Sequence, residues 1–182
     1  IQEYREWVQK GADATQQAEE TLTEIASLAA QAIQNIEDSY DNKLSKNDTK
    51  IDQLDAHNAY MDTTTGFESE DIYAAMIQET EDKIKVAMEK RDAMQAELDK
   101  RVQAGEIQVD SQEWYDAVNA IAEVDTEIIN LKTEVEDYQD SINELHWEKF
   151  DLLMRQFEAV ADEAENLLDI LATKDAVDEL GN

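Results

Sequence analysis

Residues 111–171 read SQEWYDAVNAIAEVDTEIINLKTEVEDYQDSINELHWEKFDLLMRQFEAVADEAENLLDIL. On a seven-residue ruler, Trp114, Ile121, Ile128, Val135 and Ile142 share one position, and Ala117, Val124, Leu131, Tyr138, Leu145 and Leu152 share another. An a/d seam kept over about five heptads is the pattern of a coiled coil. The seam then slips by one residue and resumes at Phe150, Leu153, Phe157, Val160, Ala164, Leu167 and Leu171, which rotates the stripe around the helix without ending it. The spacing predicts an unbroken helix over 111–172. At about 1.5 Å per residue it is a rod roughly 90 Å long, which a compact fold of 182 residues does not need.

The rest of the composition agrees. There is no proline, only four glycines, and an abundance of Ala, Glu, Gln, Leu and Lys, so helix should dominate. Three Phe and three Trp can fill only a thin core. Forty-five acids against fifteen bases leave a formal charge of −30, which repels nucleic acid and anionic membrane surfaces. Direct nucleic-acid binding is therefore not expected. The regular apolar spacing gives the chain a face to bury, which argues against disorder despite the charge. No apolar run reaches the ~20 residues of a membrane span, and no basic-then-apolar leader opens the chain. Because the sequence starts at Ile1 rather than Met, it reads as one elongated unit cut from a longer protein.

Working outward, residues 1–61 predict a first long helix. Tyr4, Trp7 and Val8 form an apolar patch, Gly11 marks a break or fraying end, and Leu22, Ile25, Ala29, Ala32 and Ile36 resume the stripe. Between Lys10 and Lys43 there is no basic residue, so neighbouring helices or solvent must accommodate the acids. Residues 62–70 reverse the chain, with Ser69 as N-cap and acids behind it. The second, shorter helix, 69–104, has a seam of Tyr73, Ile77, Thr80, Ile84, Ala87, Arg91, Met94 and Leu98, in which Thr80 and Arg91 help set register. Ala104-Gly105 ends it. Ile107 and Val109 are expected to tuck against the bundle before Ser111 caps the third helix, and 173–182 is read as a C-terminal tail.

Short connections force antiparallel neighbours. The expected architecture is thus all-α: an elongated antiparallel hairpin or three-helix coiled coil, staggered, with single-helix arms at about 11–32 and 150–171. Exposed apolar stripes on such arms need partners, most simply copies of the same chain. The residues expected to carry packing and self-association are Trp114, Ile121, Val124, Ile128, Leu131, Val135, Tyr138, Ile142, Leu145, Phe150, Leu153, Phe157, Val160, Leu167 and Leu171. Trp114, Tyr115 and Trp147 read as core-filling anchors.

Catalysis finds little to use. The chain has two histidines, no cysteine and no phosphate-cradling glycine loop. A helical di-metal site wants Glu three residues before each His, but Leu54 precedes His57 and Asn143 precedes His146. The acids between Asp38 and Asp48 lack the order of a calcium loop. No catalytic, metal or cofactor site is expected.

Residues Gly105-Glu106-Ile107-Gln108-Val109-Asp110-Ser111-Gln112-Glu113-Trp114-Tyr115, with Ile142-Asn143-Glu144-Leu145-His146-Trp147-Glu148-Lys149-Phe150-Asp151 further along, resemble a segment of the tail tape measure proteins of phages and prophages of Gram-positive bacteria. In that family a Gly-x-Ile turn leads to Gly-Ser-x-x-Trp-Tyr, and the helix carries a Trp-x-x-Phe/Asp cluster. The likeness extends through 163–171 and 174–182 and, on the second helix, Ile72-Tyr73, Ile77 and Glu79; it spans roughly residues 40–182. Asp110 departs from it, since relatives often have glycine there. The resemblance implies a length-setting rod in the tail tube lumen of the virion, assembled in the bacterial cytoplasm, with tail tube proteins and tail assembly chaperones as partners. The competing expectation is a spectrin-like three-helix module for protein binding or scaffolding.

Overall fold

The computed structural model describes residues 2–180 and the side chains of 2–173. Its three helices are α1 (Gln2–Thr65), α2 (Glu70–Gln103) and α3 (Gln112–Leu180), and among the described residues there is no strand. The fold is an elongated all-α coil with protruding helices. α2 packs along both neighbours, while α1 and α3 touch each other only sparingly. Both run antiparallel to α2 and so parallel to each other, offset along the axis.

The turns explain the offset. At the first, Gly66 takes φ 79°, a left-handed value that costs glycine nothing. Ser69 Oγ then accepts the Ile72 N–H as N-cap, while the Ser69 N–H donates to Asn58 Oδ1 at 2.7 Å. Asn58, buried on α1, thereby fixes where α2 starts. At the second turn the Glu106 N–H donates to the Arg101 carbonyl and the Gly105 N–H to that of Val102, a Schellman motif whose residue beyond the cap, Gly105, sits at φ 73°. Ile107 folds under it and is buried, but Val109 points outward; the expectation that both tuck in holds only for Ile107. Asp110 has φ 66° in a turn closed by the Ser111 N–H on the Gln108 carbonyl. That third turn position favours glycine, and aspartate is one of the few side chains that tolerate it.

Three sequence expectations are corrected. α1 runs through Gly11 without a break, because one glycine costs a helix only about 1 kcal/mol. Residues 173–180 continue α3 rather than forming a tail; Gly181 and Asn182 lie outside the described residues. The α1 arm ends at Leu28 rather than Ala32, since Ala29 and Ile33 belong to the core.

Two apolar clusters fill the overlap of the helices. One gathers Ala29, Ile33, Leu44, Met94, Leu98, Ile121 and Val124 near the second turn; the other gathers Ile51, Tyr73 and Met76 against Leu54, Tyr138 and Ile142 near the first. Between them lies a polar waist. The Thr80 hydroxyl is buried with no hydrogen-bond partner among the described residues, Lys83 reaches Asp48 on α1 and Glu127 on α3, and Lys50 pairs with Glu79.

Candidate self-association site

The seam residues divide by position along α3. Ile121, Val124, Ile128, Leu131 and Leu145 are buried, and Trp114, Val135, Tyr138 and Ile142 are half-buried against α2. Phe150, Leu153, Phe157, Val160, Leu167 and Leu171 are all more than half exposed. They cover one stripe of a helix that has left the bundle. At the opposite end Tyr4, Trp7, Leu22 and Leu28 make a thinner stripe on the α1 arm. Trp147 is exposed and meets Phe150 edge-on at 6.1 Å, and Tyr115 is 46% exposed. Of the three aromatic anchors expected in the core, Trp114 is half-buried, Tyr115 is covered over about half its surface, and Trp147 is not in the core.

Charge is organised around the bundle. Lys90, only 4% exposed, donates to Asp41 at 2.7 Å and approaches Glu37 at 3.5 Å, so α2 supplies the cation that this acidic part of α1 lacks. Burial alone disfavours its charge, but the two carboxylates outweigh that and hold the ammonium above its usual value. Arg91, expected in the seam, lies at the rim, pairing with Asp92 and Asp125. At the mouth of the α3 arm Glu70 is held by Lys149 at 2.6 Å and His146 at 2.8 Å. The Tyr138 hydroxyl donates to Glu134, and burial followed by that carboxylate pushes its pKa up.

No protein-family model, curated protein or solved structure matches this chain. Its chemistry must be read from its own side chains. Among the described residues no group of three His, Cys, Asp or Glu gathers as a metal site, and no helix is long and apolar enough to cross a membrane. The clefts are open furrows, such as the one of about 340 Å³ between Ile33 and Glu37 on α1 and Asp116 and Ala120 on α3. Histidines do not converge in any of them: His57 is exposed on α1 and His146 belongs to the Glu70 ion pair. What the molecule offers a partner is two apolar stripes at opposite ends.

Sequence periodicity placed the α3 stripe but missed two members of the α2 core, Met76 and Lys90, each one residue before an expected position. The signal for Lys90 was present in the run of α1 acids without a local base.

Proposed function

We propose that the chain is a structural coiled-coil segment of a phage tail tape measure protein, non-enzymatic, acting inside the tail tube lumen of the virion to set tail length and template tube assembly. The observation that carries the reading is the geometry of α1 and α3: two very long helices, offset about a short α2, turn residue number into axial length at about 1.5 Å per residue. The turn motif at 105–115 supports it, because Asp110 adopts the left-handed backbone that the family's glycine serves. The charge of −30 opposes adhesion to DNA sharing the channel. Self-association of the chain, together with tail tube proteins and tail assembly chaperones, supplies the partners in this reading, and assembly takes place in the bacterial host cytoplasm.

A spectrin-like protein-binding or scaffold module is the second reading, favoured by the bundled part between Ala29 and Lys149, which packs without help from the arms. It gives the arms no task. The experiment that separates the two is an in-frame deletion of 21 residues from the exposed part of α3 in the phage or prophage that encodes the chain. The expected outcome is intact tails shorter by about 30 Å, from the rise per residue of a helix. Viable tails of unchanged length would overturn the tape measure role.

A further inference from the structure

The α1 arm carries a feature its own fold does not use. Gly11 sits mid-helix, and a Cβ built there would meet nothing within 4 Å, so no internal contact requires the glycine that weakens the helix by about 1 kcal/mol. On the same arm Tyr4, Trp7, Gly11, Ala14, Ala18 and Ile25 follow an a/d pattern. The α3 arm follows it too, with bulky residues in the corresponding places. Phe157, 74% exposed, is the most exposed of its large apolar side chains among the described residues.

We propose that copies of this chain join head to tail, the α3 arm of one lying parallel along the α1 arm of the next, with Phe157 seated over Gly11 of the neighbour. The inference rests on the reading that the chain self-associates and adds which surfaces meet. Polarity permits it: α1 and α3 run the same way, and their arms project from opposite ends of the bundle, so a simple translation along the axis lays one beside the other. The heptads align the two seams, and the register proposed pairs Gly11 with Phe157 and Ala14 with Val160, small against large, while Tyr4 meets Phe150, Trp7 meets Leu153 and Ala18 meets Ala164. In that register Asp13, Glu20, Glu158 and Asp162 fall on outer positions, away from the seam. The α1 arm would take up the α3 stripe where α2 leaves it, continuing the line of the bundle core. Covering the large exposed side chains of both arms at on the order of 100 Å² each buries roughly 1,300 Å², within the range of specific interfaces. The contact is heterologous, so it extends into a filament unless it closes on itself.

Cysteine cross-linking tests this, because the chain has no cysteine of its own. Ala14→Cys and Val160→Cys are made separately in the full chain, both at exposed sites, and oxidised alone or mixed. The expected result is a disulfide heterodimer as the main product of the mixture, little product from either variant alone, and a ladder of multimers from the double variant. Homodimers as the main product of Val160→Cys alone would mean that like arms pair, and would overturn the head-to-tail contact. A multi-chain mass by light scattering without cross-links in the mixture also overturns it while leaving self-association standing; a monomeric mass removes both.

Discussion

One helix carries the same kind of stripe to two different fates. Val124 and Leu131, in the bundled part of α3, are 3% and 4% exposed, whereas Val160 and Leu153, on its arm, are 66% and 62% exposed. Residue type and heptad spacing are alike, so the difference comes from whether α2 lies alongside. α2 starts at Glu70, held there by Ser69 and the Asn58 clasp, and past that point the described side chains of α3, from Phe150 on, are exposed. A periodic stripe specifies a face, while the turns decide how much of it is buried within one chain. The bundle is where the buried core resides, and the arms are where we propose that association resides.

The sharpest way to break this division is to truncate on each side of it. Met94→Ala, at a fully buried position of α2, is expected to lower unfolding free energy by about 2–5 kcal/mol, the cost of lost transfer energy plus a cavity. The double variant Leu153→Asp and Phe157→Asp should leave the urea unfolding of the bundle in dilute solution nearly unchanged. Its mass by light scattering should instead fall to that of a single chain. Equal losses of stability from the two variants would show that arm and bundle form one cooperative unit, and an unchanged mass in the double variant would take association away from the α3 arm.

A smaller effect lies at the turn that releases α3 into the bundle. Asp110 holds φ 66°, a region costly for residues with a Cβ. Asp110→Gly removes that cost, offset in part by greater freedom of the unfolded chain and by loss of the 3.3 Å hydrogen bond that the Tyr115 hydroxyl donates to Asp110. The net expectation is a gain of up to about 1 kcal/mol in urea unfolding, with no change in multi-chain mass. A loss of stability would show that the aspartate side chain contributes more than the turn strain costs.

These regions also differ in how plainly the sequence displayed them. In its bundled part α3 faces chiefly one neighbour, α2, so one narrow a/d seam describes it and the heptad ruler reads it directly. α2 faces α1 on one side and α3 on the other, and its buried surface is correspondingly wide. A single seam through Ile77 and Arg91 therefore passed beside Met76 and Lys90, which are buried while the expected pair is half-buried. Lys90 was hidden for a further reason: a lysine enters a core only with partners, and Glu37 and Asp41 lie about fifty positions away in the chain. At Gly11 and beyond residue 172 the local signals pointed to interruption, yet the good helix formers around them carry the helix through. The candidate site was legible as a stripe because exposure of α3 follows from the length of α2. The open space over Gly11 gained meaning only once the backbone around it was seen to be helical.

The smallest effect expected is at the boundary between the two regions, where Glu70 in the first turn of α2 binds Lys149 and His146 as α3 leaves the bundle. Lys149 first, then His146, holds the Glu70 carboxyl below its usual value of 4.5, and the helix N-terminus favours the anion as well. A carboxyl with a lowered folded pKa stabilises the fold above its unfolded value, and that contribution drains away as pH falls through the folded value. Because the cluster is exposed to solvent, the contribution is small and salt-sensitive. Glu70→Gln should therefore melt slightly below the native chain at pH 7 in low salt. The gap should narrow as pH drops below about 4.5 and as salt rises. Thermal melts at pH 7 and pH 3 with and without added salt decide it: a gap of equal size at pH 3 would mean that Glu70 acts through packing at the helix start, and that the ion pair does not mark where the bundle ends.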